Sequence, residues 1–282
     1  MKYKLIALDL DGTLLNSNGC ISDETIKSIK IAIEENVQII PATGRNISLI
    51  CEEIRSIKGI NYVIASNGAA VIDLKQNKII FSEYITTDIL KEIIEIIREY
   101  PIAIEFYADG YSYMDEDVRA NPNKYKLTEE NLNLLSDNHK MVKNILSKIT
   151  KGENLSWVDS VEKINIPFLS ENMKNKIFNR LLAIKDKVKV TSSVKDNVEI
   201  NAVNANKGNG LKEISKLLDI NLEETVAIGD NNNDIEMLEM AGVGIAMGNA
   251  SNDIKMKADF VTLNNDENGV GKAVLEILKK NI

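Results

Sequence analysis

A short apolar run that ends in two aspartates restricts the fold of this chain more than any other feature. Leu5–Leu8 shows no alternation of polar and apolar residues, which is typical of a parallel strand buried on both faces of a sheet. Asp9 and Asp11 follow, and because strand side chains repeat every two residues, their carboxylates are expected to face one site. In open α/β sheets the ligand crevice lies beyond the carboxyl ends of the strands. The pattern therefore predicts a functional site at the end of the first strand.

An Asp-Leu-Asp-Gly segment taken alone has two other interpretations. The first is a turn in which the aspartates only cap the strand, and the segment by itself does not exclude it. The second is a calcium loop that begins at Asp9. Such a loop requires glycine at its sixth position and glutamate at its twelfth, where this chain has Leu14 and Cys20, so the calcium loop is excluded.

Apolar runs and amphipathic stretches alternate at both ends of the chain but not in its middle. Before about residue 66 and again after Lys207, the alternation predicts a parallel α/β sheet built from two chain segments. The middle block contains hairpin-like pairs of short apolar runs, which is α+β patterning. We therefore predict an α/β fold in which a discontinuous parallel-sheet core, residues 1–83 and 191–282, carries an inserted α+β domain, residues 84–190.

The charge balance argues against a nucleic-acid partner. The 282 residues include 34 Lys and Arg against 42 Asp and Glu, a formal net charge of −8, whereas nucleic-acid binding depends on an excess of positive charge. No stretch reaches the roughly 18 consecutive apolar residues of a membrane span, so we expect neither a membrane anchor nor a signal peptide. Two cysteines without metal-ligand spacing are typical of a reducing compartment. We predict a cytoplasmic protein that is a monomer or a weak homo-oligomer.

The chain contains a single histidine, His139, which lies in a polar stretch. One histidine excludes the zinc sites that are built from several histidines, and it leaves any histidine-dependent catalysis to this side chain alone. We expect His139 to be a solvated surface residue.

Three further segments are expected at the same edge of the sheet. Thr43-Gly44-Arg45 follows the second predicted strand and opens a helix, which offers a hydroxyl and N–H groups to an anion. The segment from Gly229 to Asp234 follows another strand and adds Asp230 and Asp234. Carboxylates gathered in this way repel one another unless a cation neutralises them, and an all-oxygen ligand set favours Mg²⁺. Lys207, at the start of a later helix, is unremarkable when taken alone.

Taken together, these segments have the composition that phosphoryl transfer requires. An aspartate that attacks a phosphate group brings negative charges together, so the site needs a divalent cation, a fixed positive side chain and donors for the phosphate oxygens. The chain offers aspartates for the cation, Lys207 for the positive charge and the Thr43-Gly44 segment for the donors. The residues themselves therefore favour phosphoryl-transfer chemistry.

The same segments resemble the four motifs of the haloacid dehalogenase-like hydrolases, in the order of that family. They are Asp9-Leu10-Asp11-Gly12-Thr13-Leu14, Thr43-Gly44-Arg45, Lys207 and Gly229-Asp230-Asn231-Asn232-Asn233-Asp234. Asn67-Gly68-Ala69 and the glycine-rich run at 241–250 resemble the Cof-type subfamily, also called IIB, in particular. The resemblance covers both core segments and implies a Rossmann-like core with an inserted cap domain, for which residues 84–190 have the right size and position.

The resemblance also implies a role for each matching residue. Asp9 corresponds to the nucleophile that forms an aspartyl-phosphate, and Asp11 to the acid that protonates the leaving oxygen and then activates water. The carboxylates of Asp9 and Asp230, with the backbone carbonyl of Asp11 or of the residue before it, would hold Mg²⁺. The remaining implied roles are phosphate binding by Thr43, the Gly44 N–H, Lys207 and Asn233, and orientation of Lys207 or a metal-bound water by Asp234.

The function that this resemblance implies is that of a Mg²⁺-dependent phosphatase, a phosphoric monoester hydrolase that acts on small phosphorylated metabolites. Sugar phosphates, nucleotides, pyridoxal phosphate and flavin mononucleotide are the candidate substrates. Two alternatives use the same aspartyl-phosphate. One is a phosphomutase, which returns the phosphoryl group to a sugar, and the other is a regulatory domain that is switched by phosphorylation of its aspartate.

Overall fold

The computed structural model describes residues 2–135 and 139–280 of the chain. These residues form two compact units. The first unit consists of the residues up to Arg45, Ile50–Ser82 and the residues from Asn206 onward. The second unit consists of Asn46–Leu49 and Glu83–Ala205.

Strands and helices alternate through most of the described chain. The strands are β1 (Leu5–Leu8), β2 (Gln38–Pro41), β3 (Tyr62–Ala65), β4 (Ala70–Asp73), β5 (Lys78–Ser82), β6 (Glu105–Ala108), β7 (Tyr111–Asp115), β8 (His139–Val142), β9 (Val161–Ile166), β10 (Val188–Thr191), β11 (Val198–Ala202), β12 (Thr225–Gly229), β13 (Val243–Ala246) and β14 (Phe260–Val261). The helices are α1 (Asp23–Glu34), α2 (Glu52–Ser56), α3 (Thr87–Ile97), α4 (Glu116–Ala120), α5 (Glu129–Leu134), α6 (Ile145–Lys151), α7 (Glu171–Leu181), α8 (Lys207–Leu217), α9 (Ile235–Met240), α10 (Asn252–Lys255) and α11 (Gly269–Lys280).

The first unit is built on a parallel sheet with the strand order β14-β13-β12-β1-β2. All four residues of β1 are buried, as the unbroken apolar run predicts. Burial of each of its leucine and isoleucine side chains contributes about 1.5–3 kcal/mol, which favours a position of β1 in the middle of the sheet. Because β1 pairs in parallel with β12, Leu8 lies beside Ile228, and the residues that follow both strands emerge at one edge. Both ends of the chain thus complete one sheet, and the predicted α/β fold class is confirmed.

A smaller antiparallel sheet, β3-β4-β5, extends the first unit beyond β2. The chain after residue 66 is where the sequence predicts hairpin-like pairs of short strands, and β4 and β5 form one of them. A parallel bridge joins Ala42 to Ile64, so the segment after β2 runs beside the end of β3. The Thr43 N–H donates to the Ile64 carbonyl, and the Asn67 N–H donates to the Thr43 carbonyl. These bonds hold the residues after β2 and after β3 against each other.

The helices of the first unit begin at capping residues that the sequence provides. The side chain of Ser22 accepts a hydrogen bond from the Thr25 N–H at the start of α1, and that of Asn206 accepts one from the Asn209 N–H at the start of α8. Caps of this kind contribute about 1 kcal/mol each. The cap at Asn206 fixes the first residue of α8, Lys207, whose side chain is fully buried.

The second unit contains a six-stranded sheet with the order β10-β11-β9-β6-β7-β8. Its strands are antiparallel except for the pair β7 and β8. The amphipathic helix α3 buries an apolar stripe, Leu90, Ile93, Ile94 and Ile97. The sequence pattern predicted neither β8 nor α6, because each is short, four and seven residues, and has too few apolar residues to define a period.

Strand β11 differs from the sequence-based division at residues 190 and 191, which assigned it to the core. In the structure Val198 pairs with Ile166 of β9, and Ala202 pairs with Val188 of β10. The second unit accordingly extends to Ala205. The five residues of β11, Val-Glu-Ile-Asn-Ala, do not specify which of the two sheets the strand joins, so its pairing could not be predicted from them.

None of the helices within residues 2–135 and 139–280 has the length and apolar character needed to cross a membrane.

Candidate active site

Lys207 lies between two aspartates at the carboxyl edge of the parallel sheet. Its Nζ donates to Asp9 Oδ1 at 2.5 Å and to Asp234 Oδ1 at 2.6 Å. The lysine side chain is fully buried, and so is that of Asp234. Burial opposes the charged amine, but the carboxylates of Asp234 and Asp9 outweigh it and raise the pKa of Lys207. The lysine is therefore held as a fixed positive charge against Asp9.

Three carboxylates come together around this lysine. One oxygen each from Asp9, Asp230 and Asp234 lies within 4.8 Å of the others. Burial, followed by the charge of Asp234, raises the pKa of Asp9 well above its usual range. The same two causes raise the pKa of Asp230 to about 6. The cluster thus holds more negative charge than a single lysine offsets, which is the environment that a divalent cation would stabilise.

Both carboxylate oxygens of Asp234 accept hydrogen bonds from neighbouring groups of the protein. Its Oδ1 accepts from Lys207, while its Oδ2 accepts from the N–H groups of Asp230 and Asn231, each at 3.0 Å. These bonds close the turn after β12. Asp234 therefore fixes both the lysine and the Asp230 loop.

Gly12 allows the loop after β1 to approach Asp230 closely. Its φ of +83° is in the left-handed region, and a Cβ on this residue would lie 2.5 Å from Asp230 Oδ2. Next in the chain, Thr13 is buried and its Oγ1 donates to Asp230 Oδ1 at 2.8 Å. The motif pattern predicted no individual role for Thr13, although its position four residues after Asp9 in the first motif was a usable signal.

Asp11 is close in sequence to Asp9, but its carboxylate lies outside the cluster. Arg45 binds it with two parallel hydrogen bonds, Nε to Oδ2 at 2.9 Å and Nη2 to Oδ1 at 2.5 Å. The Asp11 side chain is 52% exposed, against 7% for Asp9. Desolvation acts against the guanidinium, yet the bonds to Asp11 raise the pKa of Arg45. Arg45 is a second residue for which the motif pattern predicted no individual role.

Asn67 connects two residues predicted to bind phosphate. Its N–H donates to the Thr43 carbonyl at 2.9 Å, and its Oδ1 accepts from Asn233 Nδ2 at 3.1 Å. Thr43 is fully buried, its Oγ1 accepts from the Arg45 N–H at 3.1 Å, and Gly44 lies between these two residues. Asn67 has a φ of 58°, a left-handed conformation that asparagine tolerates well. The Asn67-Gly68 pair after a strand was the signal for a tight turn at this edge.

His139 corrects the expectation of a solvated histidine. It lies in the second unit, its side chain is 3% exposed, and its Nε2 is 2.7 Å from Glu105 Oε1. The physical reason is that β8 pairs with β7 at Ser112, which places the ring on a sheet face with buried polar groups. The polar residues around His139 in the sequence therefore did not indicate whether its side chain is exposed.

Comparisons with known proteins agree with the motif pattern. Residues 6–274 match the family model described as haloacid dehalogenase-like hydrolase. A 5-amino-6-(5-phospho-D-ribitylamino)uracil phosphatase of Bacillus subtilis is 30% identical over 273 residues, which cover 96% of this chain and 94% of that protein. Another phosphatase of Bacillus subtilis is 31% identical over 287 residues, which cover 98% of this chain and 100% of that protein.

Solved structures show the same overall fold. A haloacid dehalogenase-like hydrolase from B. subtilis superposes with a TM-score of 0.80 at 29% identity, covering 97% of this chain and 99% of that one. A structure described as a sugar phosphatase of subclass IIB has a TM-score of 0.80 at 23% identity, covering 97% and 98% of the two chains. At that lower identity the second likeness concerns the fold alone.

Proposed function

This chain belongs to the haloacid dehalogenase-like hydrolases, and on that premise we propose that it is a Mg²⁺-dependent phosphatase acting through an aspartyl-phosphate. The observation that carries the proposal is the buried contact of Lys207 with Asp9, next to the carboxylate of Asp230. A buried carboxylate that is oriented by a fixed cation and lies beside further carboxylates suits nucleophilic attack on phosphorus when a divalent cation neutralises the cluster.

In the first step an oxygen of Asp9 attacks the phosphorus and the bond to the leaving oxygen breaks. The alcohol departs with a proton from Asp11, and an acyl phosphate remains on Asp9. In the second step Asp11 accepts a proton from water, the water oxygen attacks phosphorus, and inorganic phosphate leaves the regenerated carboxylate. Lys207 keeps Asp9 oriented and offsets charge that develops on the phosphate oxygens.

The residues present fit Mg²⁺, because the cluster offers only oxygen donors and has an excess of negative charge. We assign the carboxylates of Asp9 and Asp230 and the carbonyl of Asp11 to the ion. The carbonyl of Leu10 is the weaker choice, since it already accepts hydrogen bonds from the N–H groups of Thr13 and Leu15. When bound, Mg²⁺ would neutralise the carboxylates and polarise the phosphate oxygens.

We assign phosphate binding to the segment after β2 together with the loop after β12. Thr43 provides a hydroxyl, Gly44 a backbone N–H and Asn233 an amide, and the contacts of Asn67 support an arrangement in which Thr43 and Asn233 act on one ligand. Lys207 would complete the set with its charge. Donors of this kind stabilise the equatorial oxygens during transfer.

The proposed substrates are small phosphomonoesters of the metabolic pool. One relative is named for a ribityl phosphate ester of an aminouracil, and this makes a phosphorylated sugar alcohol or sugar the first class to test. Nucleotides, pyridoxal phosphate and flavin mononucleotide remain in the panel. The few cysteines, with both Cys20 and Cys51 free, support a cytoplasmic location.

The test is phosphate release from this panel, with and without Mg²⁺, by the wild type and Asp9→Asn. Asp186→Asn, a change at an exposed aspartate of the second unit, is the matched control. We expect Mg²⁺-dependent release that is abolished in Asp9→Asn and unchanged in the control, with both variants folded by circular dichroism. Transfer of phosphate to a second sugar position would support a phosphomutase instead, and a stable phosphoprotein without turnover would support a regulatory switch.

A further inference from the structure

The guanidinium of Arg45 and the carboxylate of Asp11 form a two-pronged ion pair within the first unit. Both carboxylate oxygens are engaged, at 2.9 Å by Nε and at 2.5 Å by Nη2. This fork geometry is the strongest and most directional contact that arginine makes. The pair is nevertheless partly solvated, with side-chain exposures of 33% for Arg45 and 52% for Asp11. The ion pair is therefore specific in geometry, but little free energy is needed to break it.

The ion pair conflicts with the role proposed for Asp11. An acid that delivers a proton to a leaving oxygen must present a carboxyl oxygen to that atom at about 2.6–3.2 Å. In the pair, both oxygens of Asp11 face Arg45 instead. If the proposed function holds, Asp11 has to leave the guanidinium before the leaving group departs.

The position of Arg45 indicates what could displace Asp11. Arg45 follows Thr43 and Gly44, the segment to which phosphate binding is assigned, and its backbone is fixed there. Its N–H donates to Thr43 Oγ1 at 3.1 Å, and its carbonyl accepts from the Ser66 N–H at 2.9 Å. A guanidinium binds phosphate with the same fork that it offers to a carboxylate, and a phosphomonoester carries the larger charge. A bound phosphate would thus compete with Asp11 for Arg45.

We propose that Arg45 is a positioning residue that exchanges Asp11 for the phosphate of the substrate. With no phosphate bound, Arg45 holds Asp11 away from the reacting centre. When phosphate occupies the Thr43-Gly44 segment, the guanidinium turns to it and releases the Asp11 carboxylate toward the leaving oxygen. Asp11, which acts as the acid and then the base of the reaction, is thereby available only when a substrate is bound.

The exchange is tested by the affinity of inorganic phosphate in the presence of Mg²⁺, measured by calorimetry. The four proteins are the wild type, Asp11→Asn, Arg45→Met and the double variant. Asp11→Asn should bind phosphate about threefold more tightly, the factor expected when an exposed ion pair no longer competes. Arg45→Met should bind more weakly, and adding Asp11→Asn to it should give no tightening. Equal tightening in both backgrounds would mean simple charge repulsion and would overturn the exchange, as would no tightening in Asp11→Asn.

A kinetic measurement separates this role from one in which Arg45 holds Asp11 in a productive position. We compare p-nitrophenyl phosphate, whose leaving group needs no proton, with glycerol phosphate, whose leaving group does. For Arg45→Met we expect a KM raised at least fivefold for both esters, with the ratio of their kcat values within twofold of the wild type. A selective loss of kcat for glycerol phosphate would show that Arg45 holds Asp11 productively, and would refute the exchange. Arg55→Met, at an exposed arginine of α2, is the matched control.

The outcomes also distinguish the exchange from the function on which it rests. A folded wild type that neither binds phosphate nor hydrolyses p-nitrophenyl phosphate refutes the proposed phosphatase and the exchange together. If the wild type hydrolyses the ester, but the effects of Asp11→Asn and Arg45→Met on phosphate affinity are additive in the double variant, only the exchange is refuted.

Discussion

Replacing Lys207 by methionine removes the only positive charge placed between Asp9 and Asp234 among the described residues. Methionine is unbranched like lysine and only one heavy atom shorter, so the packing changes little while two buried carboxylates lose their shared partner. Removing one member of a buried ion pair typically costs about 3–5 kcal/mol, because the remaining charge stays desolvated. We expect the free energy of unfolding of Lys207→Met, without metal, to be about 4 kcal/mol below that of the wild type at pH 8.

The stability deficit of Lys207→Met should be smaller in acid. The direction of this pH dependence follows from the protons that the folded and unfolded chains bind. Burial already raises the pKa of Asp9, and without the attraction of Lys207 it rises further. The folded variant then binds a proton that the unfolded chain, with an aspartate pKa near 3.9, does not hold at neutral pH. Between the raised pKa of Asp9 in the wild type and its still higher pKa in the variant, only the folded variant holds this proton, so its stability relative to the wild type falls as pH rises, by up to about 1.4 kcal/mol per pH unit. We expect the deficit at pH 5 to be about half of that at pH 8.

The assay is urea unfolding followed by circular dichroism at pH 5 and pH 8 in the presence of EDTA. Lys216→Met is the matched control, since Lys216 lies on the same helix, α8, and is exposed. The control should change the free energy of unfolding by less than about 0.5 kcal/mol at both pH values. A deficit of Lys207→Met that is below about 1 kcal/mol, or equal at both pH values, would refute the electrostatic account of this site.

Three further perturbations have defined outcomes. Gly12→Ala should lower phosphatase activity at least tenfold in a phosphate-release assay, because its Cβ would lie 2.5 Å from Asp230 Oδ2. Gly19→Ala, at a residue with a φ of +74° and no atom within 4 Å of the added Cβ, should keep full activity in the same assay. Dialysis against EDTA should abolish phosphate release and added Mg²⁺ should restore it; release that persists in EDTA would contradict the metal assignment. Lys163→Met should lower the free energy of unfolding by about 3 kcal/mol, because the buried Lys163 donates to Glu199 at 2.8 Å in the second unit; an unchanged urea midpoint would contradict this.

The sequence was most informative about features that depend on local residue types, such as a buried parallel strand and the polar residues at its carboxyl end. The apolar run of β1 and the aspartate that follows it predicted a central parallel strand and a site at its end, and the α/β fold class, the family and the assignment as a hydrolase are confirmed. The sheet brings Asp9, Lys207, Asp230 and Asp234 into contact. The individual roles of these residues stay predictions until variants are assayed.

The sequence was least informative where the outcome depends on which partner a segment meets. Nothing in the local pattern of β11 specifies that it pairs with β9, and nothing around His139 specifies that Glu105 lies beside it. The pairing of Arg45 with Asp11 likewise joins residues 34 positions apart whose charges could have remained in solvent. Such contacts are set by tertiary structure, and motif spacing does not contain them.

The parallel pairing of β1 with β12 has a consequence for how the protein is made. Thr13 and Asp230, which touch across this pair, are 217 residues apart in the chain. At a synthesis rate of about 5–20 residues per second, the ribosome needs roughly 10–40 s to produce the second partner after the first. During that interval one side of an entirely apolar strand has no neighbour to pair with. The candidate active site, which needs residues that follow both strands, therefore cannot assemble until β12 has been synthesised and has paired with β1.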